Sequence, residues 1–214
     1  MEHKIVYFEG SGSTNTDEVL RIAKKRADEL GIKTIVIASN SGNTGVKAVN
    51  ILKGCKVVVV THSYGFREPN TFEFVEENRK IIENSGGVVL TTAHAFMNIN
   101  RALSRKYTMA SVQDIVADVL RIFGAGTKVA VEVAIMAADS GLVRTDEDII
   151  AMGGTHGGAD TALVLSPVNS QRFFDLKIKE ILCKPYSPPT PPAPGQRPEG
   201  QRPDGPRPEG PRPH

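Results

Sequence analysis

Hydrophobic and polar positions fall into two rhythms along most of the chain. Short, solid apolar runs at 5–8, 34–38, 56–61, 88–91, 149–152 and 161–165 read as strands. KVVVVT at 56–61 is apolar on both faces, as a central parallel strand is. Between these runs the chain is mixed in polarity and bounded by start and stop residues, which predicts helices over 15–30, 44–53, 71–84, 111–123 and 128–140. Asn15 with Glu18, Asn70 with Glu73 and Ser111 with Asp114 sit where capping residues belong. Gly31, Gly54, the pair Gly86-Gly87 and Gly141 sit where helices stop. The stretch 92–110 is irregular, with room for short helices. A last run, 174–182, alternates partially and reads as a final strand at a sheet edge.

Strands alternating with helices predict an α/β fold, a three-layer α/β/α sandwich on a mostly parallel sheet. Right-handed crossovers gather the C-terminal ends of parallel strands at one edge, where ligands bind in such sheets. The loops to watch are therefore 9–14, 39–44, 61–70, 91–101 and 153–161.

Composition divides the chain in two. Residues 185–214 hold twelve of the 14 prolines and close on a five-residue period, QRPEG, QRPDG, PRPEG, PRPH. With no apolar cluster to offset the entropy of ordering it, this segment reads as a disordered, polyproline-like tail. Its four arginines alternate with three carboxylates, which argues against a nucleic-acid arm. Residues 1–184 then make one ligand-binding domain with a substantial core. The net charge of +2 gives no strong pull toward DNA or lipid. The start, MEHKIVYFEG, has no charged-then-apolar leader, and no run is long enough to cross a membrane; a soluble, cytoplasmic protein is expected. Cys55 and Cys183 are expected to be buried free thiols.

The chemistry concentrates in three loops. Thr34–Ala38 runs into SNSGNT at 39–44, and a helix opens at Thr44. Unpaired N–H groups at a helix start accept phosphate without metal or lysine, and the hydroxyls of Ser39, Ser41 and Thr44 add short bonds. The loop resembles the S/T-x-T-G-x-T phosphate loop of flavodoxins, with serine at the third position, although it follows the second strand instead of the first. GGTHGGADT at 153–161 has four glycines that permit close backbone approach, beside His156 and Asp160. It reads as a wrap for a ring or a second phosphate, against a plain flexible connection. His62, His94 and His156 follow separate strands. With no HxH or HExxH pair, they are expected to hydrogen-bond a ligand or each other sooner than bind metal. Arg67 and Arg101 are candidates for bidentate anion contacts, against a surface role. Gly10-x-Gly12 lacks the third glycine of a dinucleotide turn, and the chain has no Walker motif and no G-x-S-x-G elbow.

Longer segments carry a resemblance. VYFEG with NT at 15–16, IVIASNSGNT, VVVVTHSYGFREPN, the TTAHAF region, RIFGAGTKVAVEVAIMAADSGL, GGTHGGADTALVLSP and FDLKIKEILCKP span residues 4–185. In these the chain resembles the small archaeal and bacterial proteins related to the C-terminal α/β domain of pyruvate kinase. The resemblance implies that domain's three-layer fold and binding of flavin mononucleotide (FMN). It makes Ser39, Asn40, Ser41, Gly42, Asn43 and Thr44 the phosphate cradle. It places the family's glycine loop on Gly153, Gly154, Thr155, Gly157, Gly158, Ala159 and Asp160, with histidine at 156 where the family pattern often has arginine. Thr61, His62, Gly65 and Phe66 fall near the same pocket, and Thr92 and His94 complete the set of cofactor-binding candidates. Pyruvate kinase activity does not follow, because that enzyme's catalytic barrel has no counterpart in this chain.

Three functions are then in view. The first is an FMN-binding protein, with flavin-dependent redox as its open chemistry. The second is a regulatory sensor of a phosphorylated metabolite. The third is a metal-dependent hydrolase built on His62, His94 and His156 with Glu9, Glu68 or Asp160. Self-association is expected from the relatives' assembly and from the final strand taken as an edge.

Overall fold

The computed structural model describes residues 2–187, so the proline repeat lies outside the described residues. Strands β1 (Val6–Phe8), β2 (Thr34–Ala38), β3 (Lys56–Val60), β4 (Val88–Leu90), β5 (Ile149–Gly153), β6 (Thr161–Ser166) and β7 (Lys177–Pro185) form one 7-stranded sheet. Its order is β1-β7-β6-β5-β2-β3-β4. The pairs β1·β7, β2·β5, β2·β3 and β3·β4 are parallel, and β6 is antiparallel to both of its neighbours. All strands but β6 therefore run the same way, and the expected mostly parallel α/β sheet is present.

Helices cover both faces. On one, α1 (Thr16–Leu30), α2 (Asn43–Ile51) and α3 (Glu76–Asn84) bury Val19, Leu20, Ala48, Val49 and Ile82 against Ile35, Ile37, Val57, Val59 and Met152. On the other, α5 (Val112–Arg121) and α6 (Ala125–Asp139) pack Ala117, Ala130, Ala134 and Ile135 onto Val36, Val58, Ala151 and Leu163. The alternation of β2 and β3 residues between the two clusters is the period-2 rule of a strand apolar on both faces. The small side chains of α6 let it lie close to the sheet beneath α5. Almost every residue of α6 is buried, including Lys128 and Glu132.

The helix starts show where local signals held. Ser111 and Asp114 form a reciprocal capping box on α5, as expected. The other two boxes do not form. Asn15 is itself helical (φ −90°, ψ −9°), continues a 3-10 turn, and turns its amide to Gly10 O at 2.9 Å. Near α3, Asn70 is left-handed (φ 61°) and Glu73 is taken by His62 and Arg67, so the helix begins only at Glu76. The irregular stretch contains α4 (Ile99–Tyr107).

The last strand also differs from expectation. It runs Lys177–Pro185 and lies inside the sheet between β1 and β6, not at an edge. Its charges mimic an edge, yet they have distant partners. Glu180 receives Arg26 of α1 at 2.6 and 2.8 Å, and Lys179 donates to Asp148 at 2.6 Å. The edges are β1 and β4, so the edge-strand argument for self-association falls. Exposed apolar side chains concentrate instead on α4 and α5, with Ile99 77% and Ile122 76% exposed. Among the described residues no helix is long and apolar enough to cross a membrane.

Candidate functional site

Because β6 alone is reversed, the loops leaving β1, β2, β3, β4 and β5 all open at one edge of the sheet. The serine loop after β2 is held from behind. Ser39 N–H donates to Val60 O at 2.9 Å, which ties the loop to β3. The Ser39 hydroxyl accepts Gly45 N–H at 3.3 Å, and the Ser41 hydroxyl accepts Asn43 N–H at 3.5 Å. Each hydroxyl oxygen that accepts a helix-start N–H keeps its own hydrogen to donate. Gly42, the residue before α2, has φ 94°, and a Cβ there would lie 2.6 Å from Asn78 Cβ. Asn78 of α3 explains that closeness, because its amide bonds both Ser41 O and Asn43 Oδ1 at 2.9 Å. Ser39 and Thr44 are buried, Asn40 and Ser41 half-buried, and Asn43 exposed.

The glycine loop after β5 is knitted to the loop after β1. Asp160 is fully buried and acts as the knot. Its carboxylate accepts Gly12 N–H at 2.9 Å, Thr155 N–H at 3.0 Å and the Thr161 hydroxyl at 2.7 Å. The glycines serve close packing. A Cβ on Gly153 would strike Gly126 O at 2.4 Å, one on Gly154 would strike Gly158 O at 2.3 Å, and one on Gly158 would strike Ser13 Cα at 2.4 Å. Gly157 alone of the four has open space about it. His156 is exposed, with φ 60°. The Thr155 hydroxyl is buried without a partner.

The loops after β3 and β4 meet. Thr61 and Thr91 share a hydrogen bond at 2.8 Å. His62 Nδ1 lies 2.7 Å from Glu73, whose other oxygen accepts Arg67 Nε at 2.6 Å. Burial pushes the His62 pKa down, and the Glu73 contact opposes this only in part. The His62 ring stacks on Phe66 at 3.8 Å, and the Arg101 guanidinium lies over the same Phe66 ring at 5.4 Å. A cleft of about 610 Å³ opens here, lined by Tyr64, Phe66, Thr92, Met97, Arg101 and Arg105 among others.

Beneath this region lies a cluster that sequence reading did not find. Lys128 and Glu132 stand one turn apart on α6, form a 2.5 Å ion pair, and each leave only 4% of the side chain exposed. Glu132 also accepts Phe96 N–H at 3.0 Å, and its Oε2 lies 3.7 Å from His94 Nδ1. Burial alone would raise the Glu132 pKa, but His94 and Lys128 hold it at about 2. Burial lowers that of Lys128. An i,i+4 Lys–Glu pair ordinarily marks a solvated helix face. The signal against that was the apolar surround of α6, a helix hydrophobic nearly all round.

Of the expected site residues, Gly65, Phe66 and Thr92 line the cleft. The ring of His94 lies 5.2 Å from that of Phe66 and 5.5 Å from that of His62. The serine and glycine loops lie along the same sheet edge but outside the cleft lining, and β2 and β3 stand between β5, which carries His156, and β4, which precedes His94. Among the described residues no three His, Cys, Asp or Glu side chains are grouped as a metal site requires.

Residues 17–165, more than half of the 214-residue chain, match the family model of the pyruvate kinase alpha/beta domain. The chain belongs to the pyruvate kinase alpha/beta domain family. The matched span runs from the first turn of α1 into β6. It therefore contains the serine loop, the glycine loop and the cleft of this pyruvate kinase-type domain, while β1 and β7 lie outside it.

Proposed function

We propose that the protein binds a phosphorylated small molecule, FMN in particular, along the C-terminal edge of its sheet, with the phosphate on the serine loop. The observation that carries this reading is the pair of hydroxyls, Ser39 and Ser41, each oriented by an N–H from the start of α2. Those N–H groups are taken up by the serines, and the oriented hydroxyls keep hydrogens that a phosphate dianion accepts. The residues present fit FMN in kind. The serine loop offers hydroxyl donors, and Gly157 leaves open backbone on the neighbouring glycine loop. When bound, FMN supplies electron-transfer chemistry that the side chains do not. The chain's own part is to hold the phosphate on Ser39, Ser41 and Thr44, and to keep the loop rigid through Gly42 and Asn78.

The test is the visible absorbance of gently purified protein, with mass analysis of any released molecule, followed by FMN titration of Ser41→Asp and Thr44→Ala. A flavin spectrum, and loss of binding in Ser41→Asp, is the expected result. Colourless protein that takes up no added FMN refutes it. A sensor for another phosphorylated metabolite is the second reading, favoured by the same loop and by family membership. A ligand that binds only the native state raises the melting temperature, so a thermal screen of sugar phosphates and nucleotides separates the two.

A further inference from the structure

We propose that the cleft between the β3–α3 and β4–α4 loops is a second, separate site, for an organic anion (a carboxylate or phosphate ester with an apolar body) held by Arg101 and Arg105, with His94 behind its Phe66 wall. This proposal does not rest on the serine-loop reading, because the cleft is lined by other loops.

Charge is the first ground. Arg101 and Arg105 are four residues apart, so they share a face of α4, and both line the cleft. The charged neighbours that act on Arg101 are Arg105 and Arg67, both cations, and with burial they press its pKa below the ordinary guanidinium value. Arg67 is engaged with Glu73, and that carboxylate is further occupied by His62. The acid of this region is thus spent on Arg67 and His62. Two guanidinium groups then face one concavity without a counter-charge among the described residues, and an oxyanion relieves their repulsion with bidentate bonds.

His94 is the second and independent ground. Its side chain is 7% exposed, and neither ring nitrogen has a hydrogen-bond partner. Glu132 lies at ion-pair distance, 3.7 Å, but beyond a short hydrogen bond, and its oxygens already accept Lys128 and Phe96 N–H. A buried imidazole without a hydrogen bond marks a place that another group can complete. The ring stands behind the lining, 5.2 Å from Phe66, while the preceding residues Thr92 and Ala93 line the cleft. Its nitrogens are buried, so an oxyanion in the cleft reaches the His94 N–H only as the Phe66 ring moves aside.

The rest of the lining fixes the ligand's character. Tyr64, Phe66, Ala93, Met97 and Ala102 make an apolar wall beside the arginines. An inorganic ion would leave that wall wet, while an organic anion covers it.

The experiment is calorimetric titration of the full chain with phenyl phosphate and with phenylacetate, which carry the two anionic groups on the same apolar ring. Saturable binding of either supports the site, and the better probe assigns the anionic group. Arg101→Ala/Arg105→Ala should weaken binding about a hundredfold, about tenfold for each charge-assisted bond lost. Both arginines are exposed, so this variant folds. Loss of affinity in His94→Gln, with wild-type circular dichroism, supports the role of the ring. Ser41→Asp should leave probe affinity unchanged even where it abolishes FMN binding, which separates this site from the serine loop. No saturable heat with either probe, or undiminished affinity in the double arginine variant, overturns the proposal.

Discussion

Replacing Glu132 by Gln tests the electrostatics of the interior more sharply than any other single change. The pair it breaks is 2.5 Å long, with 4% exposure on each side chain. At an effective dielectric near 20, Coulomb attraction at that separation is about 7 kcal/mol. Desolvation costs several kcal/mol for each ion, so the intact pair contributes little net stability. Removing one partner is different, because the Lys128 cation stays in place uncompensated. Breaking a buried pair in that way costs about 3–5 kcal/mol. Glutamine retains an oxygen for Phe96 N–H, so the loss reports the charge and not the backbone bond. Burial lowers the Lys128 pKa while Lys128 and His94 hold that of Glu132 down. Glu132 has Phe96 N–H as a further partner. Urea unfolding followed by circular dichroism measures the cost. Glu132→Gln should lose about 3–5 kcal/mol, and Lys128→Met/Glu132→Gln, which keeps the oxygen for Phe96 N–H, should recover most of it. A loss under about 1 kcal/mol in the single variant, or a double variant no better than either single, refutes the reasoning.

Other expectations follow from the same geometry. Glu132 has a folded pKa of about 2 against 4.5 ordinarily, so its contribution is full above 4.5 and is lost as pH falls toward 2. Melting temperatures across that window should fall less steeply for Glu132→Gln than for the wild type, and parallel curves would count against the assignment. Gly42→Ala puts a Cβ 2.6 Å from Asn78 Cβ at φ 94°, and should cost about 2–5 kcal/mol from left-handed strain and overpacking together. A loss under about 1 kcal/mol in urea unfolding would disprove the clash. Asp160→Ala strands two buried N–H donors, of Gly12 and Thr155, and should cost about 3 kcal/mol or more. Limited proteolysis should then cut near 9–14 or 153–161; unchanged resistance there would mean that Asp160 does not join these loops.

Much of this fold was legible because its signals are local. The runs of β2 and β3 are apolar on both faces, and Ser111 with Asp114 announces α5 within four residues. The serine loop was readable as a strand, a turn and a helix start. What escaped was settled by partners far along the chain. Glu180 makes β7 look like an edge until Arg26 is found across 154 residues. Glu73 looks like a cap until His62 and Arg67 claim it. Asp160 reads as ligand chemistry, although its carboxylate is filled by Gly12, Thr155 and Thr161. The Lys128–Glu132 pair escaped for the opposite reason: its spacing is familiar, and only the layer outside α6 shows that it is dry.

The two free thiols have a practical consequence. Cys183 has no exposed surface and sits within the sheet, paired in register with Val6 of β1 and Ala162 of β6. Burial pushes its pKa up to about 12, so even a reagent that reached it would meet little thiolate. Cys55, after α2, is only half-buried. A thiol reagent in native buffer should therefore label one site promptly and wait at the other for the sheet to part. The slow label then reports how often β7 leaves its neighbours, and the fast one, whose pKa burial also raises, serves as a reference in the same tube. The molecule carries its own gauge of opening, readable by mass without any added probe group.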